Sequence, residues 1–207
     1  MLTCHQLLQL HPQAWHAATV HPFLSACKTG QIHDYQFNTW LVQDYLFVID
    51  FTRMAGRLLA AAPVHHFDLI LSGMTALRAE LNWFRDKADE RHLDLQTPKQ
   101  PTCEEYCRFM HQLATAPYPV QATAFWAIEY AYNQGWQLPG AMCPPYDEFA
   151  YRWGNPDFTS YVQGLAQQAD EELRSAPEAV QQQAVTAFLE VARLEQAFWQ
   201  MAYATPT

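Results

Sequence analysis

The chain has 207 residues, of which 50% are hydrophobic, 14% are aromatic and only 16% are charged, and it contains just 7 glycines. A chain of this length can bury a sizeable core, its composition excludes disorder, and so few glycines disfavour a β-protein built on tight turns. The net charge of −9, without a basic cluster, excludes a nucleic-acid binder that depends on neutralising phosphates.

Apolar residues recur at helical spacing along the chain, between breaks at proline and glycine. Pro12, Pro22 and Thr29 predict the starts of short helices before the first long one. Longer helices are predicted over residues 35–60, 66–92, 102–115, 120–134, 146–152, 156–174 and 178–203. Because the sequence shows no alternating strand pattern and no internal repeat, it predicts a single all-α domain, a helical bundle over residues 1–207.

No segment is predicted to cross a membrane or to act as a signal peptide. The longest apolar candidate, residues 41–51, is interrupted by Asp44 and Asp50. The amino terminus lacks a basic start and an apolar middle. Five scattered cysteines without a C-x-x-C pair are consistent with reduced thiols. We therefore expect a soluble, cytoplasmic protein that binds neither membrane nor nucleic acid.

Three acidic residues occupy positions where the helical pattern predicts apolar side chains. Glu195 lies on the hydrophobic face of its helix, Glu129 is the only charge in residues 120–146, and Asp44 lies on the most apolar helix. Burying one unpartnered carboxylate costs several kcal/mol. Each acid alone could pair with an arginine, a tyrosine or a backbone donor, whereas three in one core favour a functional pocket. Asp50 is a weaker case, because it could face solvent or pair with Arg53.

Aromatic side chains could line a slot for a flat heterocycle in the same core, although ordinary packing explains any one of them. The candidates are Phe47, Trp83, Tyr106, Trp126, Trp153 and Trp199. No metal is expected, because neither a Glu-x-x-His motif, nor H-E-x-x-H, nor a zinc-type cysteine pair is present. No cofactor is expected either, since the glycine motifs of nucleotide sites are absent.

Three segments of the chain resemble the TenA family of thiamin-salvage hydrolases, namely HPFLSAC at 21–27, LVQDYLFVIDFTRMAGRLLA at 41–60 and LEQAFWQMAY at 194–203. The resemblance extends over nearly the whole chain and implies the helical fold of haem oxygenase. It implies that Asp44 grips the ring nitrogen and amino group of a thiamin-derived pyrimidine. It also implies that Phe47 and Tyr106 are active-site aromatics and that Glu195 is the catalytic glutamate.

The chain departs from the cysteine branch of that family. Ala124 stands where that branch has its nucleophilic cysteine, and Trp153 replaces a usual tyrosine. The stretches FWAIEYAYNQGW and YRWGNPDF resemble the glutamate branch instead, and its hallmark glutamate corresponds to Glu129. The resemblance to that branch implies hydrolysis of amino- and formylamino-methylpyrimidines to hydroxymethylpyrimidine. The missing thiol implies little cleavage of thiamin itself.

We therefore expect a carboxylate-assisted C–N hydrolase without a cofactor, of the aminohydrolase or amidohydrolase type, which cleaves at the pyrimidine methylene or at the formamide. Its expected partner is a small-molecule pyrimidine. Glu195 is the predicted proton shuttle and Glu129 its partner, and the sequence leaves open which is acid and which is base. The resemblance implies a homodimer or homotetramer. Two alternatives from other classes are a non-catalytic pyrimidine-binding or regulatory protein, and a haem or di-iron oxygenase with His16 or His21 as an available haem ligand.

Overall fold

The computed structural model describes residues 2–204, and within that range it contains ten α-helices, two 3-10 turns and no strand. The all-α class predicted from the sequence is confirmed. The 3-10 turns cover Val64–His66 and Leu113–Thr115. The helices are α1 (Cys4–Leu10), α2 (Pro12–Thr19), α3 (Pro22–Thr29), α4 (Asp34–Ala61), α5 (Phe67–Glu90), α6 (Pro101–Gln112), α7 (Tyr118–Gln137), α8 (Asp147–Gly154), α9 (Pro156–Ser175) and α10 (Glu178–Tyr203).

The helix starts follow the sequence signals at two of the three predicted positions. Pro12 and Pro22 are the first residues of α2 and α3, where the missing proline N–H costs nothing. The start predicted at Thr29 is wrong, because Thr29 is the last residue of α3. Gly30 follows at φ 68° and ends that helix in a left-handed conformation that glycine adopts without strain. The chain enters α4 three residues later, after His33.

The described residues form two compact units. The first unit comprises residues 2–32 and 117–200, and the second comprises residues 33–116 and 201–204. The prediction of one domain over residues 1–207 stays a prediction.

Helix α7 is the central element of the first unit, where it contacts α2, α8 and α9. It is buried around almost its whole circumference, since 15 of its 20 residues are buried. A buried polar side chain on this helix is therefore expected to be hydrogen-bonded or to have a functional role. Gly135 lets the side chains of Leu24 and Trp199 pack close to the backbone of this helix. A Cβ atom there would lie 3.4 Å from Leu24 Cδ1 and 3.5 Å from Trp199 Cζ2. Trp199 is held in place, since its Nε1 donates to the Ala18 carbonyl at 3.0 Å.

Helix α4 is the central element of the second unit, where it contacts α5 and α6. Gln43 joins it to the segment that precedes α6. Its Nε2 donates to the Pro98 carbonyl at 3.2 Å, and its Oε1 accepts from the Gln100 N–H at 2.7 Å. The Cys103 thiol on α6 lies 3.5 Å from the Gln43 carbonyl. This buried amide therefore fixes the register between α4 and the start of α6.

Within residues 2–204, none of the helices combines the length and the apolar character that a bilayer-spanning helix needs.

Candidate functional site

Three aromatic contacts join α7 to α10 in the described part of the first unit. One is that of Trp136 with Trp199, at 6.0 Å between ring centroids, and the other two show the relative direction of the helices. The ring centroids of Trp126 and Phe188 lie 6.1 Å apart, and those of Tyr132 and Trp199 lie 5.7 Å apart. The earlier residue of α7 meets the earlier residue of α10, and the later meets the later. The two helices therefore run in the same direction over this stretch.

Glu129 and Glu195 both lie between these two ring contacts. Glu195 is seven residues after Phe188 and four before Trp199, so it lies on the stripe of α10 that faces α7. Glu129 lies three residues after Trp126 and three before Tyr132, so its direction about the α7 axis falls between the directions of those two rings. Both side chains are buried, with 8% and 1% exposure for Glu129 and Glu195. The structure thus brings the two predicted catalytic glutamates to one level of a buried helix pair.

Aromatic clusters flank the glutamate pair at both ends. Trp126 stacks with Trp15 (6.3 Å, 2° between ring planes) and with Tyr130 (5.6 Å, 18°). Trp153 meets Tyr132 edge-on at 5.7 Å, at the other end of the same stretch. Two of the predicted substrate-binding tryptophans therefore lie on opposite ends of the stretch that carries the glutamates, and their contact with a substrate stays a prediction.

The second unit carries Asp44, Phe47 and Tyr106. Asp44 is fully buried on α4, and Phe47, one turn later, packs on Tyr106 of α6 at 4.8 Å between centroids. The pKa of the Cys103 thiol is raised well above its ordinary value, first by a hydrogen bond with Cys107, then by burial, and also by the negative charge of Asp44. Asp44 precedes Phe47 by three residues, so both lie on neighbouring positions of the α4 surface that meets α6. The predicted pyrimidine-gripping acid and its two aromatic neighbours therefore occupy one region of the second unit.

Trp83 lies on the other side of α4. It is half-buried on α5 and meets Phe84 edge-on at 5.2 Å. Phe84 in turn contacts Trp40 and Tyr45 of α4, at 6.3 and 6.4 Å. The structure thus places Trp83 on the α5 side of α4, whereas Tyr106 lies on the α6 side, and substrate contact by Trp83 stays a prediction.

Asp50 belongs to an ionic cluster. It is buried, its Oδ1 accepts from Arg53 Nη1 at 2.7 Å, and its other oxygen contacts Lys99 Nζ. His111 Nε2 lies 3.6 Å from Oδ1. Burial alone would raise the pKa of Asp50, but hydrogen bonds from Lys99 and Arg53 lower it to about 2. The pairing with Arg53 follows helical spacing, whereas the partner Lys99, 49 residues away, has no signal in the sequence.

The histidines proposed for a haem ligand are placed differently from one another. His21 is buried, its Nδ1 accepts from the Phe23 N–H at 3.1 Å, and its Nε2 lies 3.3 Å from Gln200 Oε1. Both ring nitrogens of His21 therefore form hydrogen bonds within the first unit, Nδ1 with the backbone at the start of α3 and Nε2 with a side chain of α10. His16 is exposed on α2. Neither arrangement favours the oxygenase alternative.

Taken together, the observations define a class of protein. It is an all-α protein that buries three acidic residues, Asp44, Glu129 and Glu195, on helices rich in aromatic side chains. Residues 8–205 match the TENA/THI-4/PQQC family, and the chain belongs to that family. The resemblance stated from the sequence is thereby confirmed.

Two relatives and one solved structure illustrate the similarity. The "Probable bifunctional TENA-E protein" of Glycine max is 33% identical, with 94% of this chain and 90% of that protein covered. The "Aminopyrimidine aminohydrolase" of Halalkalibacterium halodurans is 26% identical, with 91% and 90% covered. A TenA homologue from Pyrococcus furiosus superposes with a TM-score of 0.92 at 26% identity, covering 96% of this chain and 98% of that one. The fold is therefore the haem-oxygenase-like fold of TenA proteins.

Proposed function

We propose that this protein hydrolyses the C–N bond between an amino or formylamino group and the methylene carbon of a thiamin-derived pyrimidine. The product is the hydroxymethylpyrimidine, and the leaving group is ammonia or formamide. The observation that carries the proposal is the pair of buried glutamates, Glu129 and Glu195, at one level of α7 and α10. The similarity to a protein named aminopyrimidine aminohydrolase supports it.

Two carboxylates supply what this reaction needs. Water forms a C–O bond to the methylene carbon, the C–N bond breaks, and its electron pair stays on the nitrogen. One proton leaves the water and one joins the departing nitrogen. Glu195 carries the proton between these two sites and Glu129 is its partner, in a buried setting where carboxylates are strong acid–base catalysts.

Asp44 orients the ring in this proposal. A carboxylate can accept hydrogen bonds from an amino group and from a protonated ring nitrogen at once, and such paired, charge-assisted bonds are strong. Phe47 and Tyr106, 4.8 Å apart, supply aromatic faces for the ring. Trp83, Trp126 and Trp153 complete the proposed substrate-binding set.

The residue at the family's cysteine position favours water as the nucleophile. Ala124 is fully buried on α7 and carries no group that could form a covalent intermediate. We therefore assign the chain to the glutamate branch of the family, with thiamin itself a poor substrate.

We also propose that the protein is a cytoplasmic homodimer or homotetramer. Large apolar side chains are exposed on the described surface, among them Leu10 (66%), Val64 (78%) and Tyr151 (76%), and such side chains suit an interface between copies. Light scattering during size-exclusion chromatography tests the assembly, and a single monomeric peak would contradict it.

The deciding experiment is mass spectrometry of the purified protein incubated separately with the aminomethyl- and the formylaminomethyl-pyrimidine. We expect hydroxymethylpyrimidine to accumulate over many turnovers, without added metal or cofactor. Tight binding of either compound without turnover would overturn the proposal and favour the pyrimidine-binding or regulatory alternative.

A further inference from the structure

A cavity of about 260 Å³ lies in the first unit, between α7, α1 and α9. Its α7 wall is one stripe of that helix, which includes Trp126, Tyr130 and Gln134. Glu129 lies on the neighbouring stripe, and neither glutamate of the pair is among the described residues that line the cavity. The volume is just below the usual range of roughly 300–1,000 Å³ for small-molecule sites, so a molecule of one or two rings fits.

The aromatic wall of the cavity is held rigidly. Trp126 is buried within a stack of nearly parallel rings, with Trp15 on one side and Tyr130 on another. Trp15 is itself fixed, because its Nε1 donates to Gln134 Oε1 at 3.1 Å. A flat ligand therefore meets a preformed aromatic surface and orders few side chains when it binds.

Several polar groups of the lining keep hydrogen-bonding capacity, among them Tyr130, Asp170 and Trp126. Tyr130 Oη accepts from Gln134 Nε2 at 2.8 Å, so its own O–H is left to donate. Asp170 Oδ1 accepts from the Cys4 N–H at 2.6 Å, and no donor within residues 2–204 bonds its Oδ2. The Trp126 indole N–H likewise has no acceptor within residues 2–204. Besides the amide of Gln163, the cavity thus offers two aromatic donors and one carboxylate oxygen.

The charge of the lining selects against anions. Among the described residues that line the cavity there are a carboxylate, Asp170, and one histidine, His5, but no lysine or arginine. An amino group on a ligand can donate to this carboxylate, while a ring nitrogen or carbonyl oxygen can accept from an aromatic N–H or O–H. We propose that the cavity is a second ligand site, which binds an uncharged or singly cationic planar heterocycle that carries an amino group. The site uses none of Asp44, Glu129 and Glu195, and of the proposed substrate-binding residues only Trp126 also lines it. The proposal of this second site does not rest on the proposed hydrolysis.

The test uses the full protein labelled with ¹⁵N in its 7 tryptophan indoles, titrated with cytosine. The Trp126 N–H resonance is assigned by its loss in Trp126→Phe. We expect cytosine to shift that resonance saturably, with a Kd on the order of 0.1–10 mM for so small a ligand. Orotate, a pyrimidine that has a carbonyl where cytosine has its amino group and carries a carboxylate on C6, is expected to leave the resonance unmoved. An unmoved resonance with cytosine, or an equal shift with orotate, overturns the proposal.

Substitutions on α9 test whether cytosine binds inside the cavity. Gln163 lines it without a hydrogen bond to residues 2–204, so Gln163→Trp fills it and Gln163→Ala leaves it open. The matched control is Gln167→Trp, at an exposed position of α9 outside the lining. We expect Gln163→Trp alone to weaken cytosine binding at least about tenfold, since it occupies the ligand's volume.

Two further readouts guard against misfolding and against confusion with the catalytic site. Tyr130→Phe keeps the ring but removes one donor, and we expect it to weaken cytosine binding about three- to tenfold. Hydrolysis of the aminomethylpyrimidine by Gln163→Trp is expected to equal that of the unsubstituted protein. Unchanged cytosine affinity in both Gln163→Trp and Tyr130→Phe would overturn the proposed second site. So would a loss of hydrolysis in Gln163→Trp that accompanies its loss of cytosine binding. Inactivity of the unsubstituted protein toward the aminomethylpyrimidine would contradict only the proposed function.

Discussion

The rings of Tyr132 and Trp199 lie 5.7 Å apart, and each ring follows a buried glutamate by one helical turn. This contact aligns α7 with α10 so that Glu129 and Glu195 come to the same level. Trp199 cannot swing away freely, because its Nε1 donates to the Ala18 carbonyl. The proposed acid–base pair is therefore positioned by aromatic packing on rigid helices.

Replacing either glutamate by its amide removes a group that can carry a proton. We expect Glu129→Gln and Glu195→Gln each to lower kcat for the aminomethylpyrimidine by about 10²–10⁴-fold, and the double variant to be little worse than the poorer single one. Glu190→Gln on α10 is the matched control, because Glu190 pairs only with Arg193 among the contacts described for it. Turnover near that of the unsubstituted protein in both single variants would contradict the assignment.

Asp44 is predicted to act on binding and orientation of the ring. Asp44→Asn keeps the size of the side chain but loses the charge that paired hydrogen bonds require. We expect kcat/KM to fall by about 10²-fold through the loss of one charge-assisted pair, with KM raised. Asp34→Asn, on the same helix at an exposed position, serves as the control. An unchanged KM measured by steady-state kinetics would remove Asp44 from the proposed site.

Thiamin is expected to be a poor substrate, since Ala124 supplies no nucleophile. We predict that thiazole release from thiamin proceeds at least about 10²-fold more slowly than hydrolysis of the aminomethylpyrimidine, because covalent displacement is unavailable. Chromatography of both reactions under the same conditions measures the ratio. Rapid release of the thiazole would show that another group replaces the missing thiol.

The ionic cluster at Asp50 predicts an acid-dependent loss of stability. The pKa of Asp50 is lowered to about 2 from the ordinary 3.8, so its contribution is full above about pH 4 and is lost as the pH falls through 2. That shift corresponds to roughly 2 kcal/mol of unfolding free energy. We expect Asp50→Asn to lose about this much at pH 7 and little at pH 2, by urea unfolding. Asp68→Asn, at an exposed position, should show no such difference, and a pH-independent effect of Asp50→Asn would contradict the linkage.

Two glycines are expected to respond in opposite directions to alanine. Gly30 has φ 68° and ends α3, and an added Cβ would meet only Cys143 at 3.8 Å, so Gly30→Ala costs about 1 kcal/mol through backbone strain alone. Gly56 lies inside α4 with Met74 Cε 4.0 Å from an added Cβ, so Gly56→Ala is expected to stabilise by about 0.5–1 kcal/mol. Thermal unfolding of both variants checks the signs, and equal shifts would contradict the conformational explanation.

Local patterns in the sequence predicted the seven longer helices with end errors of only a few residues, but α1 (Cys4–Leu10) was missed. Pro12 and Pro22 mark helix starts because proline suits the first turn in any surroundings. The helix start predicted at Thr29 was wrong. A hydroxyl residue before a polar segment resembles an N-cap, but Gly30, the next residue, ends the preceding helix α3. The neighbouring glycine was the stronger signal.

The sequence by itself determined the longer helices, and that acids at positions 44, 129 and 195 would be buried, because apolar periodicity records the buried face of each helix. Only the tertiary structure decided which buried face meets which. It brought α7 and α10 together through the rings near Glu129 and Glu195, gave Asp50 the distant partner Lys99, and placed Trp126 beside a cavity of α1 and α9. The physical reason is that periodicity specifies a direction about one helix axis, while the neighbour in that direction depends on packing between residues far apart in the chain.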